Sequence, residues 1–302
     1  MIHVVGNAAV DTVIRVDRFP QPGETIIARG ASDDLGGKGA NQAIVIARCG
    51  EDVRLVAAVG ADAAGERIRQ NLAAERVGID GLRMWSGASD RCVIYVDRGG
   101  ENTIVSVIDA ALNFDPIAAN ALERRIAFGD WIVLQGNLRA SMTSACLALA
   151  KANGAATALN PSPAYPAAEY DWSLVNLVVL NRGEAVALGA RQDPVESARV
   201  LLAAGAETVV LTLGADGAVL MSSRETLRAA APQVTAIDTT GAGDVFCGTL
   251  VAARAAGRPW GEALFVAVRA AAICVTRAGV LASFPTREEL SAAFRRGLVA
   301  EH

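Results

Sequence analysis

The chain has 302 residues, 52% of them apolar, and its 28 basic and 32 acidic side chains leave a net charge of −4. That is enough apolar sequence to bury one large core, or one core with a small appendage. A slightly acidic chain without a basic cluster argues against a nucleic-acid surface, and no apolar run reaches the length of a membrane span.

From the N-terminus, Ile2–Val5 reads as a strand that begins directly, so no leader peptide is expected. Asp11–Val16 and Glu24–Arg29 read as a hairpin. The run Gly36-Gly37-Lys38-Gly39-Ala40-Asn41-Gln42-Ala43 then precedes a helical segment, Gln42–Cys49, stopped by Gly50. Its spacing is not that of a P-loop, because Lys38 is followed by Gly39 and Ser32 takes the place of the first glycine; it is equally wrong for a dinucleotide fingerprint. What remains is a glycine turn that either caps a buried helix or lines an anion pocket. Lys38 is suggestive there, since Lys151 is the only other lysine in the chain.

Arg54–Val59 is the next strand and Gly65–Glu75 the next helix. Arg91–Val96 and Asn102–Ile108 form a second hairpin that turns through Asp97-Arg98-Gly99-Gly100. Val93–Val96 is apolar throughout, as are Ile104, Val105, Val107 and Ile108, so a small sheet of these strands cannot leave both faces in water. One face is expected to cover the active-site cleft, while the other packs against a partner subunit or folds onto its own domain. Further along, the apolar runs Trp131–Leu134, Ala155–Leu159, Leu177–Leu180 and Thr208–Leu213 alternate with helical Met142–Asn153 and Pro194–Ala204. This alternation predicts an α/β fold: a doubly wound, mostly parallel sheet flanked by helices. It forms one domain over residues 1–302, with a small β-sheet lid at about 11–32 and 91–108. Ligands of such sheets bind at the carboxyl ends of the strands, where Asp11, Asn137, Asn181 and Thr212 are expected.

A second glycine run, Asp238-Thr239-Thr240-Gly241-Ala242-Gly243-Asp244, stands directly before helical Val245–Ala256. Converging backbone amides and a helix N-terminus attract anions. A carboxylate at that mouth either complements the helix dipole or takes a proton from a nucleophile while the amides receive a transferring phosphate. Two glycine loops about two hundred residues apart suggest two ligands meeting in one cleft. The five cysteines are scattered without CxxC spacing or histidine partners, which reads as reduced thiols in a cytoplasmic protein.

These runs, GGKGANQA and DTTGAGDVFCG, resemble the two signatures of the PfkB, or ribokinase-like, carbohydrate kinases. Asn181-Arg182-Gly183-Glu184 is similar to the family's NxxE element, Thr212–Gly217 to its nucleotide loop, and Val275–Gly279 with Ser283 to the late loop that closes the site. The blocks occur in the family's order from Gly6 to Pro285, and Phe19–Thr25 with Gly100-Glu101-Asn102 place the chain nearest the ribokinase branch. The resemblance implies Asp244 as the base and the amides of Gly241, Ala242 and Gly243 as the hole for the transferring phosphoryl group. It implies Asp11, Gly37, Lys38, Asn41 and Asn137 on the sugar side, and Asn181, Thr212, Gly214 and Gly217 toward ATP. Asn181 and Glu184 would organise Mg²⁺ through water, and Asp238, Thr240, Cys274, Arg277, Gly279 and Ser283 match the family's K⁺ loops. A homodimer through the lid sheet is implied as well.

Two departures bear on the substrate: Asn137 stands where ribokinase-like enzymes carry a glutamate, and Ala9 where they carry an asparagine. On the nucleotide side, Val268 stands where relatives often have a polar residue. The implied activity is transfer of the γ-phosphate of ATP to a primary hydroxyl of a small sugar, with a pentose such as ribose leading. Within the family the alternative is a nucleoside or fructose-type hexose kinase. Tyr95, the only aromatic of the second hairpin, offers little wall for a base and favours a free sugar. Outside the family, the alternative is a sugar-sensing module without turnover.

Overall fold

The computed structural model describes residues 1–99, 101–122 and 125–297. Gly100, read as part of the second hairpin's turn, lies outside them. In chain order the first elements are β1 (Ile2–Val5), β2 (Ala9–Arg15), β3 (Gly30–Gly36), α1 (Lys38–Arg48), β4 (Val53–Gly60), α2 (Ala63–Ala74), β5 (Gly78–Trp85), β6 (Asp90–Val96), β7 (Asn102–Val107) and the short α3 (Asp109–Leu112). There follow β8 (Trp131–Gln135), α4 (Ala140–Ala152), β9 (Ala156–Asn160), β10 (Leu177–Asn181), α5 (Arg182–Gly189), α6 (Pro194–Ala203), β11 (Thr208–Thr212), β12 (Ala218–Ser222) and β13 (Thr226–Ala229). Three long helices come last: α7 (Ala242–Ala255), α8 (Trp260–Cys274) and α9 (Arg287–Gly297).

Nine strands form the main sheet in the order β13-β12-β11-β10-β9-β8-β1-β4-β5, parallel from β11 to β5 and antiparallel at β12 and β13. Its inner strands are mostly apolar without alternation because both faces are covered. On β1, Val4 joins the core beneath α1, α7 and α8, while its neighbour Val5 joins the core beneath α4, α5 and α6. On β8, Val133 faces the first core, and Ile132 and Leu134 face the second. Each fully buried side chain of this kind contributes roughly 1.5–3 kcal/mol, so a polar residue inside these runs would be costly. From β1 the chain winds outward through β4 and β5, whereas from its neighbour β8 it winds the other way through β9, β10 and β11. The carboxyl ends of β1 and β8 therefore frame a topological switch point, the crevice where doubly wound sheets bind ligands.

The second sheet has the order β3-β2-β6-β7. Its outer hairpin, β6 with β7, lies where the sequence suggests. The partner of β2 does not. Glu24–Arg29 is not a strand; β2 pairs with Gly30–Gly36 instead. The register places Val10 opposite Leu35, both almost fully buried, and a one-residue slip of β3 would turn Leu35 to the other face. The preceding segment is held as a turn, because Glu24 accepts from Arg18 Nη1 at 2.7 Å and from the backbone N–H of Gln21 at 3.0 Å. Asp11 consequently sits within β2 of the small sheet, not at the end of a parallel strand. Asp34 of β3 accepts from the backbone N–H of Leu281 at 3.2 Å, which ties this sheet to the main body. No helix among the described residues is long and apolar enough to cross a membrane.

Candidate active site

The two glycine runs meet at the switch point. α1 follows Gly37 and α7 follows Gly241, so two helix N-termini converge there. Gly241 has φ 78°, and a side chain on it would come within 2.6 Å of the buried Phe284 ring, so any other residue would be both strained and crowded. The first turns of the two helices are joined through Asp244. Asn41 Nδ2 donates to its Oδ2 at 2.9 Å and Gln42 Nε2 to its Oδ1 at 3.0 Å. Asp244 is 5% exposed, and among the described residues its side-chain partners are these neutral amides. A carboxylate so placed borders the same cavity as Gly241, Gly243 and Lys38.

Near Asp244, Asn41 Oδ1 and Asp11 Oδ1 are buried without a hydrogen-bond donor, as are Gln135 Oε1 at the end of β8 and Asn137 Oδ1 just after it. A polyol supplies the donors such acceptors lack, because leaving them unpaired costs about 1–3 kcal/mol each. Burial pushes the Asp11 carboxyl up to about 6; a hydrogen bond with Cys92 and the charge of Lys38 oppose the shift, and the carboxylates of Asp244 and Asp34 add to it. Asn7 sits behind the first glycine loop, its carbonyl accepting from Ala40 N–H at 3.0 Å.

Nearby opens a cavity of about 350 Å³ walled mostly by apolar groups, among them Ala231, Val234, Phe246, Val268, Ala271 and Val275, with Thr212, Gly214 and Gly217 also lining it. It shares Thr212, Thr239 and Gly243 with the smaller cavity that contains Asp244, so a ligand can run from the apolar pocket to the carboxylate. In the smaller cavity Asn181 and Glu184 form a reciprocal cap at the start of α5: Asn181 Oδ1 accepts from Glu184 N–H and Glu184 Oε2 from Asn181 N–H, both at 2.9 Å. The bond uses one carboxylate oxygen of Glu184, so the cap and a role in the cavity are compatible. A larger cleft, about 570 Å³ and lined by Arg54, Arg76, Asp80 and Arg125, lies near the opposite ends of the strands and holds none of these groups.

Beside α7, Asp238 accepts from the backbone N–H of Thr240 at 2.9 Å and of Gly279 at 3.1 Å, fastening the two late loops together. Cys274 and Ser283 meet in the same region at 3.2 Å, whereas the Arg277 side chain turns to Glu289.

A match to the model described as pfkB family carbohydrate kinase covers residues 1–287. The chain belongs to the pfkB family. It is 34% identical to a ribokinase of Haemophilus influenzae over 296 residues, 95% of this chain and 96% of that protein. Among solved structures it is similar to a ribokinase from Thermotoga maritima, at TM-score 0.87 and 31% identity over 97% of this chain and 99% of that one. It is also similar to an Arabidopsis thaliana ribokinase complexed with ribose and ATP, at TM-score 0.86 and 25% identity over 97% and 98% of the two chains. As a pfkB carbohydrate kinase the protein is a phosphotransferase acting on a sugar hydroxyl. The sequence motifs give no role to three buried side chains beside Asp244: Gln42, Gln135 and Asn160, linked by hydrogen bonds through Gln42. The available signal was a polar residue closing an apolar run, as Gln135 closes β8 and Asn160 closes β9.

Proposed function

We propose that the protein is an ATP-dependent pentose kinase that phosphorylates a primary hydroxyl of a free sugar, ribose leading. The observation that carries this is Asp244, held at the start of α7 between a cleft of unpaired oxygen acceptors and an apolar cavity. The sugar lies against Asp11, Gly37, Lys38, Asn41 and Asn137. The base of ATP fills the apolar cavity, and its phosphates run past Asn181, Thr212, Gly214 and Gly217 toward the two helix N-termini. The sugar oxygen bonds to the γ-phosphorus as the bond to the β,γ-bridging oxygen breaks; the electron pair leaves with ADP and the hydroxyl proton passes to Asp244. The amides of Gly241, Ala242 and Gly243 receive the charge on the transferring group.

Among the described residues no group of three or more His, Cys, Asp or Glu could cage a metal. That suits a Mg²⁺ carried by the phosphates and steadied through water by Asn181 and Glu184, where it would neutralise phosphate charge. Asp238, with Thr240, Cys274, Arg277, Gly279 and Ser283, would hold K⁺ largely through backbone carbonyls. The small sheet acts as the lid. Its edge strand β7 leaves Ile104, Val105 and Val107 each more than half exposed, which supports a homodimer through this sheet and a sedimentation measurement to test it. A cytoplasmic location completes the reading.

ADP release from MgATP over a panel of pentoses, hexoses, polyols and nucleosides, in K⁺ and in Na⁺, tests the assignment. Fast turnover on a free pentose that falls when K⁺ is replaced supports it. Turnover on nucleosides or hexoses alone moves the chain to that branch of the family, and binding without turnover makes it a sensor.

A further inference from the structure

The buried amides beneath Asp244 form a directed chain. Asn160 Nδ2 donates to the carbonyl of Val179 at 2.9 Å, and a carbonyl can only accept, so the Asn160 oxygen must face Gln42. Gln42 Nε2 donates to that oxygen at 3.1 Å and to Asp244 Oδ1 at 3.0 Å, which uses both of its N–H bonds. Its own oxygen accepts from Gln135 Nε2 at 2.8 Å. Gln42 is fully buried, with both N–H bonds donated and its oxygen engaged, so flipping the amide would set its oxygen against two other oxygens. The approach of α1 to α7 is kept equally tight: a side chain at Gly248 would come within 3.0 Å of the Gln42 carbonyl and 2.9 Å of Val45. Asp244 Oδ2 is different. Its partner, Asn41, belongs to the sugar-side loop and carries a buried oxygen without a donor.

We propose that Gln42 is a positioning residue for phosphoryl transfer: it anchors Asp244 by Oδ1 so that Oδ2, on the Asn41 side, takes the proton of the sugar hydroxyl. The proposal rests on Asp244 being the base. Gln42 does not touch the substrate and gains or loses no proton itself; it acts by removing the rotational freedom of the carboxylate, whose misplacement by a fraction of an ångström weakens proton transfer. In this arrangement the proton of the hydroxyl ends on Oδ2, the sugar oxygen keeps its electron pair for the γ-phosphorus, and ADP leaves with the pair of the broken bond.

The test uses the full-length enzyme with MgATP and the fastest sugar of the panel. Gln42→Met keeps the volume and removes the donor; kcat should fall roughly 10–100-fold while sugar and ATP dissociation constants stay within about threefold. Gln42→Glu keeps the shape and sets a second carboxylate against Asp244. The acid limb of its kcat profile should move up by about one pH unit or more, a change that a purely structural role would not produce. The double variant Gln42→Met with Asp244→Asn should be no slower than Asp244→Asn alone, because both changes remove the same function. Unchanged kcat in Gln42→Met, an unmoved acid limb in Gln42→Glu, or additive losses in the double variant would overturn the proposal. If Asp244→Asn itself keeps turning over, or no sugar is phosphorylated by the wild type, the base reading fails and takes this inference with it. If Asp244→Asn is inactive while Gln42→Met is fast, only the positioning role falls. Should Gln42→Met not fold, the pH profile of the isosteric Gln42→Glu decides.

Discussion

The two halves of the cleft are built from opposite chemistry. On the side proposed for the sugar, buried oxygens without a donor come from β2, α1, the end of β8 and Asn137 after it. On the side proposed for the nucleotide, the walls are mostly alkyl groups from α7, α8 and the loop before α7. Directional acceptors discriminate steeply, because a ligand lacking the matching hydroxyl leaves a buried group unpaired. Alkyl walls discriminate weakly, since a lost methylene changes binding by only about 1 kcal/mol. Specificity for the acceptor should therefore reside in individual polar residues, and grip on the donor in shape and in the phosphate-facing helix ends between the halves.

That contrast can be broken in graded ways. Asp244→Asn, at the boundary, should cost about 10²–10⁴-fold in kcat with little change in either dissociation constant; retained turnover would remove it as the base. Asp11→Ala should raise the sugar KM by about 10–100-fold, the worth of a hydrogen bond to a charged group, and leave the ATP KM where it was. Equal rises in both would show that the halves are not separate.

A pH series sharpens the same point. Because the Asp11 carboxyl is raised to about 6, it is ionised and fully competent as an acceptor above that pH. The sugar KM should rise as pH falls through about 6, the ATP KM should not follow, and Asp11→Asn should abolish the dependence. In the absence of ligand the sign for stability is opposite. A carboxyl raised in the folded state favours folding below its unfolded value near 4, and that contribution is lost as pH rises to about 6. The smallest effect is on the apolar side: Val268→Ala should raise the ATP KM roughly 3- to 10-fold through lost methyl contact, without touching the sugar KM. A large change in sugar KM there would contradict the division.

Much of the central sheet is legible in the chain because a strand buried on both faces is apolar at most positions. Ile2–Val5, Trp131–Leu134 and Leu177–Leu180 announce themselves in this way. β3 does not. Gly30–Gly36 is polar over most of its length, whereas Glu24–Arg29 carries the apolar pair Ile26-Ile27; the pairing is decided by Leu35 meeting Val10 across the sheet. The loops around Asp244 show a similar split. Their glycines mark anion-type turns locally, yet nothing local says that Asn41 and Gln42 will reach Asp244, 203 and 202 residues away.

By itself, the sequence determined what short-range physics governs: which runs are buried strands, where helices begin, and that glycine turns open α1 and α7. Only the tertiary structure decided which edges pair, which buried oxygens lack a donor, and which amides bond to Asp244. Those depend on long-range packing, in which a neutral glutamine inside an apolar helix has no meaning until the ends of two strands and a second helix meet it.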